Sequence, residues 1–125
     1  MTTPPTPATA IIDGSLCRLN WNGTRAARQL PLATAVIEFL PGALCTFVRE
    51  NPLGLLPGLS NVYCLDGDLN LRWLADWPHA NDPCMALLHV ENEVLSTLST
   101  RGLLVRLDAA TGRLVDAVLP VAAAS

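Results

Sequence analysis

With 125 residues, the chain has room for one domain with a substantial core. Half of its residues are apolar and 15% are charged, too hydrophobic a mixture for disorder, while Pro52, Gly54, Pro57 and Gly58 break the longest uncharged stretch and exclude a membrane-spanning helix there. All eight cationic residues other than histidine are arginines, scattered among eleven carboxylates for a net charge of −3, so the basic stripe that nucleic-acid binding needs is missing.

The first seven residues, Met1-Thr2-Thr3-Pro4-Pro5-Thr6-Pro7, have neither a basic segment nor an apolar one. They read as a flexible N-terminus, over 1–10, of a cytoplasmic protein. Ile11-Ile12 predicts a short strand and Ser15 to Trp21 a second. Asn22-Gly23 then predicts a two-residue hairpin turn into Thr24 to Leu30. Ala33 to Leu40 is rich in β-branched and aromatic residues, Pro41-Gly42 is a turn signal, and Ala43 to Arg49 repeats the strand character. After a long loop, Asn61 to Asp66 and Asn70 to Asp76 flank the turn Asp66-Gly67-Asp68, which makes 33–76 a four-stranded meander. Residues 84–120 read the same way, with strands over Met85 to Val90, Glu93 to Ser99, Gly102 to Asp108 and Arg113 to Leu119. Helix competes over Met85 to Leu98, but the turn signal at Glu91-Asn92 and the β-branched residues downstream favour strands. The expected domain is therefore 11–120, in units of about 11–30, 33–76 and 84–120, with 121–125 as a tail.

One phrase occurs three times. Leu19-Asn20-Trp21-Asn22-Gly23, Leu65-Asp66-Gly67-Asp68-Leu69 and Leu107-Asp108-Ala109-Ala110-Thr111-Gly112 each close an apolar alternating run and open a turn. The leucines recur at a spacing close to the roughly 40–50 residues of a four-stranded propeller blade. Overlaying the units on these leucines aligns Cys17, Tyr63 and Val105 on the same strand face, and Arg18, Cys64 and Arg106 on the other. One face is thus apolar throughout, while the other accepts arginine in two units of three.

The runs Asn61 to Trp73 and Leu103 to Gly112 resemble the repeats of quinoprotein-like propellers, in which an apolar strand ends in Leu-Asp, a glycine turn follows and the next strand carries a tryptophan. Trp73 occupies that place in the second unit; Ala27 and Asp116 stand there in the other two, and Leu69 stands where the turn glycine belongs. The resemblance implies an all-β chain of antiparallel meanders, an incomplete propeller of two to three blades, and it brings no cofactor. The chain is also similar to small bacterial two-unit proteins, some suspected to be immunity or accessory factors beside secreted toxins. Because propellers close with about four to eight blades, this one needs its terminal faces covered. Its sheets fold onto each other, a partner protein docks, or copies of the chain associate; a homo-oligomer is the expectation.

Candidate chemistry is sparse. The four cysteines, Cys17, Cys45, Cys64 and Cys84, show no C-x-x-C pairing and read as reduced, buried thiols. His79, Asp82 and Cys84 share one loop but fit no zinc spacing, and His89 reads as a hydrogen-bonded strand residue. Cys84 with His79 is the one thiol and base pair worth testing as a nucleophile, whereas Cys64 alternates with Val62 in a strand. Asp66 and Asp68 are close carboxylates, yet the recurrence of Asn20, Asp66 and Asp108 at one repeat position points to turns that bond their own backbone. No catalytic, cofactor or metal residue is assigned.

The loop Asn51 to Leu59 stands apart, because regular strand pairing cannot bury all of Leu53, Leu55, Leu56 and Leu59. Either it folds back over its own sheet or it docks another chain. Trp77 and His79, in the second long loop, are expected to join the same surface. The expected function is a non-enzymatic protein–protein contact with another protein or with itself, of immunity or accessory type. The alternatives are an enzyme or ligand-binding protein with a pocket between subunits, and a structural homo-oligomer.

Overall fold

The computed structural model describes residues 8–20, 22–56 and 58–119. Of the expected flexible N-terminus over 1–10, residues 1–7 lie outside the described residues, as do Trp21, Pro57, Pro120 and the C-terminal tail, while 8–10 belong to the first strand. The protein is all-β. Its strands are β1 (Ala8–Ile12), β2 (Ser15–Leu19), β3 (Arg25–Gln29), β4 (Val36–Pro41), β5 (Cys45–Glu50), β6 (Val62–Asp66), β7 (Leu71–Leu74), β8 (Cys84–Glu91), β9 (Val94–Ser99), β10 (Leu104–Asp108) and β11 (Leu114–Val118). They form three antiparallel meanders, ordered β1-β2-β3, β4-β5-β6-β7 and β11-β10-β9-β8. The segment for which helix competed is the hairpin β8–β9, closed by Asn92 and Glu93, both at positive φ. Two left-handed residues in succession match the twist of the flanking strands, as Asp13-Gly14 also does between β1 and β2.

The three sheets stack in chain order. Leu16 from the first packs with Val36, Val48, Tyr63, Leu65 and Leu69 of the second. The opposite face of the second sheet, with Phe47, Val62, Cys64 and Trp73, meets Leu87, Leu95, Val105 and Leu107 of the third. The middle sheet is therefore buried on both faces, which is why β6 reads as the continuous apolar run Val62-Tyr63-Cys64-Leu65. Successive sheets also meet through the first strand of each, in chain order, β1 against β4 and β4 against β8. Glu38 of β4 fixes the second contact: its carboxylate accepts from the backbone N–H of Leu87 at 2.8 Å while pairing with Arg49 at 2.7 Å.

The three sheets share one irregularity. In each unit the ladder slips immediately before the shared leucine, between Arg18 and Leu19, Cys64 and Leu65, and Arg106 and Leu107. Each turn then closes on a left-handed residue, Gly23, Leu69 or Gly112, whose N–H bonds back to the carbonyl of Asn20, Asp66 or Asp108. The expected two-residue Asn22-Gly23 turn is instead this wider loop, because the bulge ends β2 at Leu19 and shifts the closure onto Asn20. By this alignment β1, β2 and β3 correspond to the second, third and fourth strands of the later units. The first sheet thus lacks a leading strand among the described residues.

Trp73 locks the second sheet to the third. Its indole N–H donates to the Ala109 carbonyl at 3.1 Å, and its ring lies so close to Gly112 that a Cβ there would stand 2.4 Å from it.

Candidate functional site

Two long loops and one short turn gather at one end of the second and third sheets. The β5–β6 loop spans 51–61, the β7–β8 loop 75–83, and the β9–β10 turn 100–103. A small set of buried polar groups holds them together. The Asn61 amide donates to the carbonyls of Glu50 and Cys84, each at 2.9 Å, and accepts from the Cys84 N–H at 3.0 Å, which pins the start of β8 beside β5 and β6. Asp82 accepts from the hydroxyls of Ser99 and Thr100, both at 2.7 Å, and from the Arg101 N–H at 2.8 Å. Burial pushes the Asp82 carboxyl up, but these donors outweigh it and hold it below its ordinary 3.8.

Glu50 does the corresponding work one unit earlier with the polarity reversed. Sitting at the end of β5, it accepts from the N–H groups of Leu32, Ala33 and Thr34 in the segment that leads into β4, and from the Tyr63 hydroxyl. In the third unit the carboxylate belongs to the leading segment, and the end of β9 supplies the donors. Both arrangements tie the entry of a sheet to the end of that sheet's second strand.

The apolar loop is an insertion on this frame. The third unit makes the same connection with residues 100–103 alone, and the closing bonds correspond: Glu50 N–H to the Asn61 carbonyl, Ser99 N–H to that of Leu103. Within the insertion, the N–H groups of Leu55 and Leu59 bond back to the carbonyls of Pro52 and Leu56, and Gly54 supplies a left-handed corner. Leu55 is half-buried, but Leu53 and Leu56 are 80% and 68% exposed and Leu59 is also exposed. The loop therefore keeps one leucine half-buried and presents three.

The second loop joins this surface in part. Leu59 and Trp77 line a cleft of about 140 Å³ with Leu74 and Ala80. On the other side of Ala80 a groove of about 480 Å³ runs past His79, Asn81, Arg101 and Leu103. His79 is exposed on its rim. Trp77 is half-buried and donates its indole N–H to the Asp82 carbonyl at 2.7 Å, so it walls the cleft while fastening the loop.

No known protein family matches the chain, and no curated protein does.

The thiol and base pair does not assemble. Cys84 is fully buried, its thiol bonds to the Ala86 carbonyl, and burial pushes it up to about 12. Asp82 has its carboxylate occupied, and among the described residues no three His, Cys, Asp or Glu side chains gather as metal ligands do. Burial, then the adjacent Cys45 thiol, pushes Cys64 up to about 12 as well. Cys45 is the half-buried member of the four. In the native protein at pH 8, iodoacetamide is expected to label Cys45 well before Cys64 or Cys84, as read by peptide mass spectrometry. Labelling of Cys84 at a rate matching that in the unfolded chain would mean that its burial is not maintained.

Asp66 and Asp108 bond the N–H groups of their own turns, as their repeat position implies. His89 departs from expectation: it is exposed on β8 opposite Ser96, on the outer face of the third sheet. The residues that the sequence did not single out are Glu50 and Asn61, while Asp82, weighed there only as a metal ligand, instead ties the loop to Ser99, Thr100 and Arg101. One weak signal was present, since Glu50 and Asn61 bracket the inserted loop, the first ending β5 and the second standing just before β6.

Proposed function

We propose that this chain is a non-enzymatic protein-interaction module that engages another protein through the loop surface around residues 51–60 and 76–84. The observation that carries it is the insertion itself. Its turns are closed by their own hydrogen bonds, yet Leu53, Leu56 and Leu59 face outward where the corresponding turn of the third unit has no such side chains. Contiguous exposed apolar side chains beside an aromatic-walled cleft are the usual make-up of a contact surface. An immunity or accessory role fits such a module, and the quinoprotein-like blade reading is supported by the three matching bulges and by Trp73, which joins successive sheets.

The test compares wild-type bait with the double variant Leu53→Asp, Leu56→Asp in affinity capture from the cells that encode the chain. Neither leucine lies in a strand or in the core, so the variant is expected to keep its circular dichroism and its thermal midpoint to within a few degrees. Its specific captured protein is expected to be lost. Equal capture by both baits overturns the proposal.

A second reading, self-association, has its own support. The β6 face bearing Val62 and Cys64 packs on the following sheet, and the corresponding β10 face, with Leu104 and Arg106, has no sheet after it among the described residues. Light scattering decides this reading: a dimer or larger assembly supports it, and a monomer at high micromolar concentration removes it.

A further inference from the structure

We propose that the cleft between the first and second sheets binds a small carboxylate through Arg18. Strand alternation sets up the site. Arg18 lies on the same face of β2 as Leu16, which packs on the second sheet, and Thr9 is its direct neighbour on β1. Thr46 lies on the same face of β5 as Val48, which packs on the first sheet. These three polar side chains border a cleft of about 420 Å³, closed at the rim by Gly42 and Gly67 of two turns of the second sheet. That is room for a small organic acid.

The repeat shows what Arg18 lacks. The corresponding arginine in the third unit, Arg106, is held by Asp116 on the adjacent strand: Nε donates to Oδ1 at 2.7 Å and Nη2 donates to Oδ2. Opposite Arg18 the residue is Ala27. Arg18 is half-buried, and among the described residues its Nε, itself buried, has no hydrogen-bond partner and no carboxylate lines the cleft. A buried charged donor without an acceptor is costly, and the guanidinium fork matches a planar carboxylate through two parallel bonds. A bound carboxylate would accept from the part of the Arg18 guanidinium that lines the cleft, supplying the counter-charge that Asp116 supplies to Arg106, with the Thr9 and Thr46 hydroxyls as further donors.

The experiment titrates the protein with sodium acetate, sodium succinate or sodium phosphate against sodium chloride at constant ionic strength, following backbone amide shifts by NMR. The expected result is a saturable response to acetate or succinate, centred on Thr9, Arg18 and Thr46 and absent with chloride. It is expected to disappear in Arg18→Gln and in Ala27→Asp, which supplies from β3 the carboxylate that Asp116 supplies from β11. Ala27→Asp carries the test if Arg18→Gln does not fold. No saturable response to either carboxylate, a response undiminished in Ala27→Asp, or a response to phosphate alone would each overturn the proposal.

Discussion

Gly112→Ala is expected to destabilise the protein by about 2–4 kcal/mol, a loss from two separable sources. Gly112 has φ +76°, where an L side chain costs roughly 1–2 kcal/mol. Its new Cβ would also stand 2.4 Å from the Trp73 ring, a separation that atoms do not tolerate. The ring has little freedom to withdraw, because it packs against Phe47 and its indole N–H is bonded to the Ala109 carbonyl. Gly23 is the matched control. It occupies the corresponding turn position at φ +85° with nothing among the described residues within 4 Å of a Cβ, so Gly23→Ala should show the conformational cost alone. Urea unfolding of the two variants separates the terms. Equal losses would mean that Trp73 does not rest on Gly112, and one link between the second and third sheets would go with it.

This pair also marks how far the sequence could be read. The strand positions and the turn aspartates were legible because each is a local pattern, and the ladder slips just before Leu19, Leu65 and Leu107 alike. That Trp73 would meet Gly112 was not legible, since the contact joins two units and depends on how the sheets stack. Leu69 shows the same limit. It fills the left-handed turn position that glycine holds in the other units because its side chain is buried in the first core, and burial of a leucine offsets the backbone cost. Glu50, Asn61 and Asp82 bond partners more than ten residues away, and no spacing rule reports such bonds. The loop leucines are legible as a group, but that Leu55 alone of the four is half-buried is not. Arg18 was visible only as a tolerated exception on a strand face; its meaning came from the register that sets Ala27 opposite it and Asp116 opposite Arg106.

Glu50→Gln is expected to cost about 3–5 kcal/mol at neutral pH and to remove much of the acid sensitivity of the fold. The wild-type carboxylate is 1% exposed and accepts four hydrogen bonds, from the N–H groups of Leu32, Ala33 and Thr34 at 2.6, 2.9 and 2.8 Å and from the Tyr63 hydroxyl at 2.6 Å. An amide has one oxygen to offer these donors and turns an NH₂ group toward the rest. Burial acts to raise the Glu50 carboxyl, but the four donors prevail and hold it below the ordinary 4.5. A folded-state value below the unfolded one means that the unfolded chain takes up the proton first. The stabilisation is then complete above the unfolded value and is lost as the pH falls through the folded one. The stability difference between wild type and Glu50→Gln, measured by urea unfolding at pH 7 and pH 3, should therefore shrink in acid. Hydrogen exchange gives the local counterpart: the amides of Leu32 to Thr34 should lose protection in the variant while those of β9 and β10 keep theirs near global stability. A difference that stays constant from pH 7 to pH 3 would mean that the carboxylate charge does not hold this connection, leaving the entry to the second sheet to side-chain packing alone.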